Sequence, residues 1–137
     1  MSELVTVAYV YDRNTSSDTR PLEMRLNRCQ KFICQRPDWQ FGGWFLDKGQ
    51  DALSEDRRPA LDIMCTTMRN AAPTARICVV HDWQRFAWNP KWQARLARRV
   101  LVEGAAVWTV DGEKLTPDGQ LTPLGHISAA PILQGMP

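Results

Sequence analysis

Hydrophobic residues along the chain fall into short β-branched and aromatic runs that alternate with longer segments of helical periodicity. The runs at residues 4–11, 41–46, 76–81 and 105–110 predict β-strands. The first and third runs are almost continuously apolar, which is typical of strands that are buried on both faces of a sheet.

Between these runs, apolar residues recur every three or four positions at 20–35, 59–71 and 91–103, which predicts three amphipathic helices. Pro21 and Pro59 suit a first helical turn, where the missing amide proton costs nothing. The residues predicted to face the core are Leu22, Leu26, Cys29 and Ile33, then Leu61, Met64, Cys65 and Met68, then Trp92, Leu96, Val100 and Leu101. The residues predicted to face solvent are Arg25, Arg28, Lys31, Arg95, Arg98 and Arg99.

Strands that alternate with helices predict a three-layer α/β sandwich with a mainly parallel central sheet and right-handed crossovers. We assign one domain to residues 1–124, with a loosely held tail at 125–137 that is rich in Gly, Pro and Ala. Lys48 to Asp56 is predicted to be a polar loop, and Lys114-Leu115 is predicted to pair weakly with Gln120-Leu121-Thr122.

The composition narrows the functional classes. A net charge of +2 is too small to indicate nucleic-acid binding by itself. The four cysteines contain no CxxC pair, so we interpret them as reduced thiols in a cytoplasmic protein. Two histidines make a zinc site or a histidine-based triad improbable, and we expect no metal and no cofactor. No signal peptide and no apolar run of membrane-spanning length is present, so no membrane partner is expected.

The candidate chemistry lies where the first and third strands end. In a parallel sheet these ends meet at one edge, which would bring Arg13 close to Arg85, with the hydroxyls of Thr15 and Ser16 beside them. Guanidinium groups match the geometry of phosphate, so the pair is a candidate anion site. A structural role, in which either arginine pairs with a nearby aspartate, is an equal alternative.

Five segments of the chain resemble, in order, the catalytic domain of the serine recombinases, the resolvase/invertase family. Tyr11-Asp12-Arg13-Asn14-Thr15-Ser16 resembles the Tyr-x-Arg-x-Ser-Thr signature that opens that domain. The other segments are Leu22-Glu23 with Cys29, Asp47-Lys48-Gly49 with Arg57-Arg58-Pro59-Ala60-Leu61, Trp83 to Pro90, and Gly104 to Gly112.

The resemblance implies a resolvase-like fold and DNA recombination in which a serine attacks a DNA phosphate and arginines stabilise the charge that develops. Arg13 and Arg85 match family arginines, and the nucleophile position falls on Thr15, or on Ser16 if the count runs back from Leu22. Gln84 stands where the family has aspartate, and Trp88 where it has another arginine.

These departures leave two principal hypotheses. The first is a degenerate, catalytically inactive recombinase-like domain that acts as a binding or accessory module, with DNA or a protein as its partner and a homodimer as one arrangement. The second is an active DNA strand-transferase or nickase that uses Thr15 or Ser16 as its nucleophile. A small-molecule enzyme is a third and less favoured reading, because no glycine-rich phosphate loop supports it. Trp83 and Trp88 are either exposed interaction anchors or covers over the core.

Overall fold

A computed structural model describes residues 5–54, 57–71 and 75–122. The strands in this part of the chain are β1 (Thr6–Asn14), β2 (Trp39–Lys48), β3 (Ala75–Val80), β4 (Ala106–Thr109), β5 (Lys114–Leu115) and β6 (Leu121–Thr122). The helices are α1 (Arg20–Cys34), α2 (Gln50–Leu53), α3 (Pro59–Asn70) and α4 (Pro90–Leu101), with a 3₁₀ turn at Trp83–Arg85. The tail assigned to 125–137 lies outside the described residues.

The six described strands form one sheet in the order β2-β1-β3-β4-β5-β6. β1 pairs in parallel with both β2 and β3, and β3 pairs in parallel with β4, whereas β5 and β6 add antiparallel. The mainly parallel α/β fold is therefore confirmed, as is the pairing of Lys114-Leu115 with the segment before Pro123.

Helices cover both faces of the sheet and give the three predicted layers. On one face, Tyr9 and Tyr11 of β1 join a core with the apolar sides of α3 and α4. On the other face, Ala8 and Val10 pack against α1 through Cys29, Phe32 and Ile33. Successive residues of a strand point to opposite faces, so odd-numbered residues of β1 face α3 and α4 and even-numbered residues face α1.

Three local predictions were wrong. β1 continues to Asn14, so Arg13 belongs to a strand and is buried rather than presented on a loop. Arg25 does not face solvent. It is 8% exposed and points to the sheet, where its guanidinium donates to the carboxylate of Asp12. The predicted polar loop after β2 contains the short helix α2, whose Ala52 is fully buried.

Cys29 and Cys65 are buried in the core clusters, as expected for the apolar faces of their helices, Cys78 is buried in β3, and Cys34 is exposed. All four are free thiols. No helix within the described ranges is long and apolar enough to cross a membrane.

Candidate active site

The candidate site lies at the carboxyl edge of the sheet, where the last three residues of β1 are polar and buried. Asp12, Arg13 and Asn14 are each exposed by 6% or less. A strand can end in buried polar residues only where their hydrogen bonds are satisfied, and each of these side chains has partners. Strand alternation sends Arg13 to the face of α3 and α4, and sends Asp12 and Asn14 to the face of α1.

Arg13 uses its guanidinium to hold α2 and the 3₁₀ turn after β3 to the sheet. Its Nε donates to the Gln84 carbonyl at 2.8 Å, and its Nη1 donates to the Ala52 carbonyl at 3.3 Å. Burial, and then the charges of Arg58 and Arg85, lower the pKa of Arg13 to about 10. The group therefore remains charged at neutral pH, in an environment that does not favour the charge.

Arg58 belongs to the same cluster, although we did not select it from the sequence. It is 1% exposed, its Nη1 donates to the Tyr11 hydroxyl at 3.3 Å, and its Nε donates to the Ser54 carbonyl at 2.6 Å. The sequence feature that points to Arg58 is the Arg58-Pro59 pair at the start of α3, which resembles the family's Arg-Pro helix start.

Asp47 completes this face of the site. It accepts the Tyr11 hydroxyl at 2.7 Å and also the backbone amides of Ala60 and Leu61, at 2.8 and 3.3 Å. Its carboxylate thereby caps the first turn of α3 and fixes the residues that follow Arg58. Burial and the nearby charge of Asp47 raise the pKa of Tyr11 far above its usual value, so this tyrosine stays protonated and keeps its hydrogen bond.

Arg85 reaches the end of β1 as well, but its charge is already partnered. Its Nη1 donates to the backbone carbonyl of Arg13 at 2.9 Å, and its Nε lies 3.3 Å from a carboxylate oxygen of Asp82. It also lies 3.8 Å from Asp12, which faces α1. The structure thus brings Arg13 and Arg85 together through the backbone, and directs Arg85 toward carboxylates.

Asp12 is held mainly by Arg25, which donates to both of its carboxylate oxygens at 2.8 Å. With Arg85 nearby, this buried carboxylate has two cationic neighbours. Arg13 and Arg58 have a different environment: among the described residues, neither lies within salt-bridge distance of a carboxylate.

The two candidate nucleophiles follow β1 directly. Thr15 and Ser16 are both exposed. The Ser16 Oγ accepts the backbone amide of Asp18 at 3.0 Å, which makes Ser16 part of the turn that leads into α1. Of the two hydroxyls, that of Ser16 is therefore the one held by a hydrogen bond of this turn.

The two tryptophans of the loop after β3 differ in their exposure to solvent. Trp83 is 5% exposed and donates its Nε1 to Glu113 at 3.0 Å, so it covers the core. Trp88 is 70% exposed, and its ring centroid lies 5.9 Å from the Cζ of Arg13. The indole therefore stands beside the guanidinium, at the position where the family resemblance expects a further arginine.

One cavity, of about 410 Å³, adjoins this loop. Its lining includes three acidic residues, Asp82, Asp111 and Glu113. An acidic lining repels phosphate. No group of three or more His, Cys, Asp or Glu residues within the described ranges could hold a metal ion.

The mainly parallel sheet, with arginines and hydroxyls at the carboxyl edge of β1, agrees with the resolvase-like fold that the sequence resemblance implies. The chain matches the family model described as "Resolvase, N terminal domain" over residues 8–129. Because the match spans most of the chain, the chain belongs to this family, and the resemblance to serine recombinases is confirmed.

Two solved structures show the same fold. A resolvase family site-specific recombinase from Streptococcus pneumoniae is 17% identical with a TM-score of 0.62, and the match covers 93% of this chain and 83% of that one. The N-terminal catalytic domain of TP901-1 integrase is 15% identical with a TM-score of 0.63, and the match covers 94% of this chain and 89% of that one. No curated protein sequence matched the chain.

Proposed function

We propose that this domain is a catalytically inactive, recombinase-like accessory module that binds DNA without cleaving it. The observation that carries the proposal is the use of the cluster's arginines: Arg13, Arg58 and Arg85 hold carbonyls and carboxylates of their own chain. Arg13 and Arg58 are 4% and 1% exposed, so little of either guanidinium is available to a DNA phosphate.

Three substitutions relative to the family pattern support the loss of cleavage. Trp88 supplies an uncharged ring in place of a positive charge, and it stands over Arg13. Gln84 supplies no carboxylate, and it interacts with Arg13 through its backbone carbonyl instead. Thr15 adds a methyl group to the carbon that carries the attacking hydroxyl and restricts its side-chain torsion. Each lost electrostatic contact to a transition state is worth several kcal/mol in enzymes of this kind, so their combination should abolish measurable turnover.

The support for DNA binding comes from α4. The helix Pro90–Leu101 contains four basic residues and no acidic one. Lys91, Arg95 and Arg98 are exposed along it, whereas Arg99 contacts Asp62. A row of exposed cations on one helix face is suited to a phosphate backbone. The affinity of such a contact falls as the salt concentration rises, because the counterions that binding displaces from the DNA are then released less favourably.

Fluorescence anisotropy with a labelled DNA duplex tests this role. Arg95→Glu/Arg98→Glu should weaken binding at least about tenfold at low salt and reduce the slope of log affinity against log salt by about two. Arg20→Glu/Lys31→Glu changes the net charge by the same amount at two exposed positions of α1, which packs on the opposite face of the sheet from α4, and serves as the control. If both pairs weaken binding equally, the α4 surface is not the DNA contact.

The second candidate function is an active strand-transferase or nickase. One observation favours it: Arg13 and Arg58 lack a carboxylate partner among the described residues, and a bound phosphate would supply the missing negative charge. Trapping of a covalent protein–DNA adduct separates the two candidates, since only the active enzyme forms one, through the hydroxyl of Thr15 or Ser16.

A further inference from the structure

Trp88 is the most exposed of the large hydrophobic residues in the described part of the chain, at 70%. The two residues before it, Phe86 and Ala87, are buried, and so is Trp83 in the same loop. A tryptophan left in water forgoes a large gain from burial, because its side chain carries more apolar area than most others. The exposed indole is therefore a candidate contact for a ligand.

Hydrogen bonds fix the backbone on both sides of this indole. Gln93 of α4 is 7% exposed, and its Nε2 donates to the Ala87 carbonyl at 2.9 Å. Asn89, which follows Trp88, caps α4 by accepting the backbone amide of Trp92 at 2.9 Å. A ring presented from a backbone that is already fixed loses less conformational entropy on binding. The loop thus holds Trp88 ready at the surface.

A row of cations follows Trp88 along α4. Lys91, Arg95 and Arg98 are exposed and are spaced four and then three residues apart, so they lie on one stripe of the helix. Their spacing along the axis amounts to about 10 Å, roughly the length of three nucleotides in a stacked strand. The Arg95 Cζ also lies 4.8 Å from the ring centroid of Trp92, so a second indole borders the row.

We propose that this surface binds single-stranded DNA in preference to duplex, with an unpaired base stacked on Trp88 and the phosphates of the strand along the cations of α4. The inference rests on the proposed function, because it specifies the form of DNA that the α4 surface takes. Bases stack on aromatic rings with little regard to their identity, so the contact tolerates many sequences. In duplex DNA the bases stack on one another and present only their edges, so the indole gains no such contact.

A nucleotide matches this surface better than an acidic protein does. Both are attracted to the cations of α4, but a tryptophan that anchors a protein interface sits among energetically supporting contacts that exclude water. Trp88 instead has the Arg13 guanidinium 5.9 Å from its ring centroid, and the exposed residues Asn89 and Lys91 follow it. An open ring with cations nearby suits a flat base joined to a negative phosphate.

Fluorescence anisotropy with two labelled strands of equal charge isolates the stacking. One is an oligothymidine of about twelve nucleotides, and the other is the same strand with abasic sites in place of its central bases. The full chain should bind the oligothymidine at least about tenfold more tightly than the abasic strand. Trp88→Ala should reduce this ratio several-fold, whereas Trp88→Phe, which keeps an aromatic ring, should retain most of it. A wild-type chain that binds both strands equally would overturn the proposal.

The salt dependence separates stacking from charge. Trp88→Ala should weaken binding of the oligothymidine without changing the slope of log affinity against log salt, because stacking releases no counterions. Arg95→Glu/Arg98→Glu should lower that slope. Trp44→Ala removes an indole that is 41% exposed on β2 and should leave both the affinity and the ratio unchanged. An equal loss in Trp44→Ala and Trp88→Ala would reject Trp88 as the stacking site.

A duplex of the same length distinguishes failure of this inference from failure of the proposed function. We expect the wild-type chain to bind the duplex more weakly than the oligothymidine. If the duplex binds at least as tightly, and depends on Arg95 and Arg98 but not on Trp88, the α4 contact with DNA stands and the single-strand site is rejected. A chain that binds neither the duplex nor the single strands rejects both proposals.

Discussion

Asp12 shows how single residues hold the end of β1 together. Asp12 is 1% exposed, and its charge is balanced by a bidentate salt bridge from Arg25, with Arg85 farther away. A buried carboxylate that loses its main cation keeps the cost of desolvation without the compensating attraction.

We therefore predict that Arg25→Met lowers the free energy of unfolding by about 3 kcal/mol, since Arg85 compensates for only part of the loss. Arg28→Met, one turn along the same helix at an exposed position, should change it by less than about 0.5 kcal/mol. Urea denaturation measures both values. Equal effects of the two substitutions would show that the Asp12–Arg25 contact contributes little.

The buried thiols predict a loss of stability at alkaline pH. Burial raises the pKa of Cys29 to about 12 and that of Cys65 to about 11, and it raises the pKa of Cys78 well above its usual range. The unfolded chain releases these protons near pH 9, whereas the folded chain retains them. The contribution of the protonated thiols to the free energy of unfolding is therefore fully present below about pH 8.5 and is lost as the pH rises above that value.

The contribution of one thiol can be isolated by substitution. Cys78→Ala should make the fall in unfolding free energy shallower by about 1 kcal/mol per pH unit between pH 9 and 11. Cys34→Ala removes a thiol that is exposed in the folded chain and serves as the matched control. Parallel slopes for Cys78→Ala and the wild type would contradict the linkage.

At the residue scale the sequence predicted that Arg13 and Arg85 lie near each other at the end of β1, but it predicted neither their contacts nor the presence of Arg58 beside them. Arg25 lies at a position that helical periodicity assigns to solvent, and only the placement of Asp12 on the facing strand explains its burial. Arg58 could be found only from its position before Pro59, because its partners come from β1 and from the loop after α2. Long-range pairing of polar groups leaves no periodic signal in a sequence.

At the scale of elements, β2 depends on a glycine that allows close packing. A Cβ on Gly42 would lie 2.6 Å from the Val7 Cγ1 and 2.8 Å from the ring of Tyr9, closer than real contacts allow. The adjacent strand must shift to accept any side chain there, which weakens the pairing of β1 with β2.

Gly42→Ala should accordingly lower the unfolding free energy by about 2 kcal/mol. The cost should be smaller in a Val7→Ala background, because that change removes the nearest clashing atom. A double-mutant cycle by chemical denaturation gives this coupling directly. Additive effects of the two substitutions would mean that Val7 is not the constraint.

Strands and long helices were predictable because their hydrophobic periods are strong. The apolar stripe of α3, from Leu61 to Met68, is buried as expected, and β3 is the central strand that its continuous apolar run indicates. The short helix α2 was missed because four residues contain too few positions to show a period.

At the scale of the whole molecule, the sheet order places the candidate site at the edge where the arginine cluster, the hydroxyls of Thr15 and Ser16, and the segments after β2 and β3 lie close together. The family determines the fold of this chain, whereas activity depends on a few side chains at that edge. The proposal that the site does not cleave DNA rests on Trp88 over Arg13, on Gln84 without a carboxylate, and on the methyl group of Thr15 at the nucleophile position.

Incubation with supercoiled plasmid, followed by denaturing electrophoresis for protein-linked nicks, tests this claim most directly. We predict no covalent adduct from the wild-type chain. The variant Thr15→Ser/Gln84→Asp/Trp88→Arg, which restores the three positions to the family pattern, should form more adduct than the wild type does. A wild-type adduct that disappears in both Thr15→Ala and Arg13→Ala would contradict the account and establish the domain as an active strand-transferase.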